Sequence, residues 1–88
     1  MSERVFIVTN RLGLHARPAA LFVQEAARFR CQITVVKDGL EVNGKSVMGL
    51  MLLAAESGSR LTVKAEGADE SQALEALQKV FDRKFDED

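Results

Sequence analysis

The feature that most constrains this 88-residue chain is the order in which its hydrophobic periodicity changes. Val5-Phe6-Ile7-Val8-Thr9 is β-branched and aromatic, the pattern of a buried strand. Asn10-Arg11-Leu12-Gly13 breaks it. From Ala16 to about Phe29 the apolar positions Ala19, Phe22, Val23, Ala26 and Phe29 recur at helical spacing, with Pro18 in the first turn, where a missing N–H costs little. Gln32 to Lys37 is a second strand, Asp38-Gly39 a hairpin turn, and Leu40-Glu41-Val42-Asn43 the returning strand. Gly44-Lys45-Ser46 interrupts it, and Val47 to Ala55 has the composition of a short helix. Arg60 to Glu66 alternates, which puts Leu61, Val63 and Ala65 on the core face. The last helix is expected to begin near Asp69, as N-cap, with Gln72 as its capping-box partner. Leu74, Leu77, Phe81 and Phe85 form its apolar stripe, and Asp86-Glu87-Asp88 a frayed acidic end.

The order is β-α-β-β-α-β-α, an α+β arrangement. Its economical solution is a four-stranded antiparallel or mixed sheet with three helices packed on one face. No internal repeat or linker divides the chain, and 88 residues are too few for two cores, so residues 1–88 are expected to form a single domain. A 47% hydrophobic and 28% charged composition suits a soluble globule and argues against disorder. The formal net charge of -1 and the absence of Trp and Tyr argue against a nucleic-acid partner. Cys31 is the single cysteine, which excludes an internal disulfide and a cysteine-rich zinc site, and it reads as a small core filler. No run of about 18 apolar residues and no signal-like stretch is present, so a cytoplasmic location without membrane contact is expected.

Chemistry concentrates in Gly13-Leu14-His15-Ala16-Arg17-Pro18-Ala19-Ala20. His15, the single histidine, stands where the loop enters the first helix. The first N–H groups of a helix have no acceptor within it, and the aligned peptide dipoles place partial positive charge there. A phosphate on this residue would meet such donors, and Arg17 adds a fixed charge beside them. Imidazole is a competent nucleophile near neutral pH, since its neutral form is well populated. On these grounds alone a histidine such as His15 is more often a cap or surface residue than a reactive group. Neither a metal site nor a hydrolytic triad has the partners it needs, and no cofactor is implied.

The same segment resembles the active-site signature of HPr, the histidine-containing phosphocarrier of the phosphoenolpyruvate-dependent phosphotransferase system. The likeness covers essentially the whole chain in length and element order. It implies the open-faced β-sandwich fold. It also implies a protein that is a substrate of its partners, with no catalytic turnover of its own: His15 is phosphorylated on Nδ1 by enzyme I, Arg17 stabilises the phosphate, and an enzyme II A component receives it. Asn43-Gly44-Lys45-Ser46-Val47-Met48-Gly49 resembles that family's regulatory segment, which implies phosphorylation of Ser46 by an HPr kinase/phosphorylase. Read as a residue, Ser46 is well placed to cap the short helix.

That helix carries Val47, Met48, Leu50, Met51 and Leu52, more apolar side chains than one face can bury. Met48, Met51 and Leu50 are expected to contribute to a partner-docking patch, ringed by Arg11, Arg17 and Lys45. A monomer suits such a shuttle. Gly49 to Ala55 looks at least as much like the nitrogen-related branch of the family as like the sugar-transport branch. A regulatory binding module acting through Ser46 is the reading from a different class.

Overall fold

A computed structural model of the chain describes residues 1–86; Glu87 and Asp88, in the expected frayed end, lie outside the described residues. The elements are β1 (Ser2–Ile7), α1 (Ala16–Ala26), β2 (Gln32–Lys37), β3 (Leu40–Asn43), α2 (Val47–Leu52), β4 (Arg60–Glu66) and α3 (Glu70–Asp82), followed by a 3₁₀-type turn, Lys84–Asp86. The four strands form one sheet in the order β1-β4-β2-β3. Every pairing is antiparallel, with β1 and β4 matched from Ser2↔Ala65 to Ile7↔Arg60 and β2 and β4 from Gln32↔Glu66 to Val36↔Thr62. Asp38 and Gly39 both have positive φ (51° and 83°), the two-residue turn whose twist suits a β2–β3 hairpin.

The helices cover one face of this sheet. Phe6, Ile33, Val35, Leu61, Val63 and Ala65 point into the core from the strands, and Val8, just past β1, is buried with them. Pro18, Ala19, Phe22 and Ala26 meet them from α1, and Ala73, Leu74, Leu77, Val80 and Phe81 from α3. Phe81 is central: its ring stacks on Phe6 at 4.6 Å between centroids and meets Phe22 and Phe85 edge-on at 6.1 and 4.8 Å. Such pairs add dispersion and quadrupole attraction to the area each ring removes from water. The opposite face of the sheet is open, as the alternation of an antiparallel sheet allows. Among the described residues, no helix is long and apolar enough to cross a membrane.

Several boundaries differ from the sequence expectation, each for a local reason. β1 starts earlier and is half-buried: Val5 and Ile7 face the open side while Phe6 and Val8 face the core. The last turn of α1 tightens to i→i−3 bonds at Arg28 and Phe29, so the helix stops at Ala26 and Val23 and Phe29 are only partly buried. α2 ends at Leu52, not Ala55, because Ala54 takes a left-handed conformation (φ 50°). Phe85 follows α3 instead of extending its stripe; Lys84, Phe85 and Asp86 all have positive φ, and this reversal turns the Phe85 ring back into the core. Cys31 is buried as expected, and burial, with the Asp69 carboxylate beside it, pushes its thiol up, away from thiolate reactivity.

Asp69 is the N-cap residue of α3 by position, but its side chain caps nothing. Its two oxygens accept from the backbone N–H groups of Arg30 (2.9 Å) and Cys31 (3.0 Å), tying the α1–β2 loop to the start of α3. Gln72 has no capping-box role; Glu70 instead accepts from the Gly67 N–H at 3.1 Å and from the Ser2 hydroxyl. The Arg30 bond foremost holds the Asp69 carboxyl below its ordinary value of 3.8. A depressed carboxyl contributes stability that is complete above the unfolded-state pKa and lost as pH falls through the folded one. Acid titration of unfolding should therefore show stability declining below about pH 4. Asp69→Asn should be less stable at pH 7 and show a flatter acid limb; an unchanged limb would assign the acid loss to other carboxylates. Phe81→Ala, which removes the hub of the ring cluster, should cost about 3–5 kcal/mol in denaturant unfolding.

Candidate functional site

Two loops meet ahead of α1. The Asn10 side chain is fully buried; its Nδ2 donates to the Gly13 carbonyl at 2.7 Å, while the Asn10 backbone carbonyl accepts from the Gly13 N–H at 3.2 Å. Gly13 has φ 75°, and a Cβ there would stand 2.5 Å from the Ala55 carbonyl oxygen, so only glycine fits. The next residue, Leu14, is buried, and its N–H donates to that same Ala55 oxygen at 2.8 Å. The loop behind α2 thus anchors the loop in front of α1. The left-handed turn at Ala54, which costs about 1–2 kcal/mol in a non-glycine residue, is what aims the Ala55 carbonyl at it.

His15 follows as the N-cap of α1, half-buried and extended (φ -82°, ψ -169°). Its carbonyl accepts from Ala19 N–H at 2.9 Å, which starts the helical ladder. Its imidazole makes no capping hydrogen bond to the helix, so the ring is not committed to that role. Pro18, buried in the first turn, has no N–H to offer. The helical residues ahead of it that carry N–H groups are Ala16 and Arg17, so Pro18 removes one of the donors an ordinary helix end presents. Arg17 is exposed at the second helical position, and Arg11 is exposed on the loop before it. An anion held against His15 would have two amides, a helix dipole and a guanidinium within one turn.

A shallow depression opens in front of the ring, walled by Leu12, Leu14, Met51, Ala54, Ala55 and Glu56. Of its apolar walls, Leu12 (66% exposed) and Met51 (45%) are open to solvent, and α2 exposes two further apolar side chains, Met48 at 79% and Leu52 at 72%. Leu50 does not belong with them. It is completely buried, because α2 turns Val47, Leu50 and Leu53 inward at a spacing of three, so Leu50 is a core residue and not a contact for partners. Lys45 is also removed from the expected ring of charge. Its ammonium donates to the Phe29 carbonyl at 2.6 Å, beyond the C-terminal end of the 11-residue α1, roughly 16 Å of helix from His15.

Ser46 caps α2 as expected, its Oγ accepting from the Gly49 N–H at 3.0 Å. Sequence reasoning missed Asn10, Leu12, Leu52 and Glu56. Leu52 was visible as part of an overcrowded helix, and Asn10 as a turn residue; nothing in the one-dimensional pattern brings Glu56 to His15.

Residues 2–83 match the family described as "PTS HPr component phosphorylation site". The phosphocarrier protein HPr of Treponema pallidum is 52% identical over 81 residues, 92% of this chain and 92% of that protein. The HPr-like protein Crh of Halalkalibacterium halodurans is 57% identical over 77 residues, 88% of this chain and 92% of that one. The crystal structure of HPr-C-His from Thermoanaerobacter tengcongensis matches with a TM-score of 0.95 at 48% identity, covering 100% of this chain and 99% of that chain.

Asn10→Ala removes the donor to a buried carbonyl, a change worth about 1–3 kcal/mol. Thermal unfolding should register that loss, and amide exchange at Gly13 and Leu14 should quicken more than exchange in α3. Uniform quickening would show that Asn10 supports the core at large and not this loop.

Proposed function

Because the chain belongs to the HPr family, we propose that it carries a phosphoryl group on His15, accepting it from phosphorylated enzyme I and passing it to an enzyme II A component. The observation that carries this reading is the placement of the single histidine at the mouth of α1. Its imidazole is not used as a cap, and two backbone amides and Arg17 lie within one turn. The phosphoryl group moves from one ring nitrogen to another: the donor's P–N bond breaks, its electron pair returns to the donor imidazole, and the Nδ1 lone pair of His15 forms the new bond. Two amides and one arginine make a moderate clamp, suited to holding the group against loss without retaining it. No turnover chemistry is needed of this chain; it serves as a cytoplasmic monomeric substrate of its partners.

Met48 and Met51, with Leu12 and Leu52 beside them, offer partners an adaptable apolar surface, and Arg11 and Arg17 a basic rim. Docking on so small a patch is expected to be transient, as a shuttle requires. Phosphorylation of Ser46 is a second reading, supported by its place at the start of the helix that bears Met48 and Met51. A phosphate there adds nearly two negative charges at the edge of the docking patch and alters which partners bind. The branch served, sugar uptake or nitrogen-related signalling, is then a property of the acceptor.

Incubation with enzyme I and phosphoenolpyruvate should add one acid-labile, alkali-stable phosphate, and His15→Ala should abolish it. A phosphate that persists in the alanine variant would overturn the assignment. Arg17→Ala should still accept the group but lose it faster.

A further inference from the structure

Of the side chains that wall the depression in front of His15, only Glu56 is acidic. The others, Leu12, Leu14, Met51 and two alanines, are apolar. A carboxylate is the wrong sign for a place that holds a phosphate, where every other charge close by in sequence, Arg11 and Arg17, is positive. Its position is not loose. The Glu56 carbonyl accepts from the Ser59 N–H at 2.9 Å, and a Cβ on Gly13 would stand 3.0 Å from the Glu56 Cα, so its backbone packs against the loop that carries His15. The side chain is exposed, and among the described residues no cation forms an ion pair with it.

We propose that Glu56 tunes the phosphoryl-transfer equilibrium of this chain, its carboxylate repelling the phosphate on His15 and so favouring release of the group to the next protein. The inference rests on the phosphocarrier reading and adds to it the residue that sets how readily the group leaves. Glu56 takes part in no bond change. The donor's P–N bond still breaks toward the donor nitrogen and the new one forms at His15; Glu56 acts only by raising the free energy of the phosphorylated state. Repulsion between one carboxylate and a phosphate of about two charges, across an exposed side-chain distance, changes an equilibrium about two- to fivefold at low ionic strength. The opposing contribution of Arg17 and the helix amides keeps the group from leaving unassisted.

The test is an equilibrium measurement, because docking changes the rate of exchange but not its end point. The chain is mixed with a phosphorylated histidine donor protein, and the phosphorylated fraction of each is read by intact mass. Glu56→Gln should raise the ratio of phosphorylated to free chain about two- to fivefold at about 10 mM salt, and Glu56→Lys should raise it further. Both gains should shrink toward the parent value at about 1 M salt, where the Debye length falls to roughly 3 Å. Glu66→Gln, at the far end of the seven-residue β4, should leave the ratio unchanged. A Glu56→Gln ratio equal to the parent's at low salt, or a gain that salt does not diminish, would overturn the inference. If the parent chain takes up no phosphate that His15→Ala removes, the phosphocarrier reading itself has failed; if it does and Glu56→Gln is silent, only the role of Glu56 has.

Discussion

One backbone hydrogen bond, from the Leu14 N–H to the Ala55 carbonyl, holds together everything that matters about the site. It joins two loops 41 residues apart in sequence, one ahead of α1 and one behind α2. The positive φ of Gly13, the left-handed turn at Ala54 and the buried Asn10 side chain are all conditions for that bond to form. With it in place, His15 has little choice of position, because its carbonyl must start the α1 ladder one residue later. His15 is thus positioned by main chain, which shifts little when side chains change rotamer. Local strain at Ala54 is tolerated because it is spent where the geometry is needed.

The rest of the fold keeps the two loops in register. α1 and α3 are fixed to the sheet by the rings around Phe81, and the far end of α1 is tied to the start of α3 by Asp69. Lys45 closes the last turn of α1 from the other side by donating to the Phe29 carbonyl. Both ends of α1 are therefore restrained by residues outside it: the N-terminal end by the Ala55 loop, the C-terminal end by Asp69 and Lys45. An anion docked at the N-terminus would meet a helix already tied at both ends, the preorganisation that lets a few donors act as a clamp.

Much of this was legible in the sequence, and the exceptions have a common cause. Asp38-Gly39 announces its turn because two adjacent positive φ angles admit few residue types, and Arg60 to Glu66 announces its faces by strict alternation. Ser46 and His15 stand at helix starts that composition marks on its own. By contrast, six-residue α2 is too short for periodicity to say which way it rolls, so Leu50 inward and Leu52 outward are decided by packing alone. Asp69 has the residue type of a cap but is claimed by Arg30 and Cys31, nearly forty residues away in sequence. Glu56 comes to line the same depression as His15 only because two distant loops pack together. Local chemistry can be read along a chain; which distant group takes a polar side chain cannot.

The sheet order also has a consequence for how the protein is made. β1 precedes the other three strands in the sequence, yet among the described residues it pairs with β4, and Ser2 waits for Ala65. Contacts of such long separation form late, since the loop between them must close before either strand gains by pairing. A ribosome-bound chain that has not yet reached β4 holds the His15 segment without the sheet that supports it and keeps the Ala55 loop in place. The histidine is thus present in the nascent chain long before its setting exists, and the site comes together only once β4 and the Ala55 loop can fold onto it.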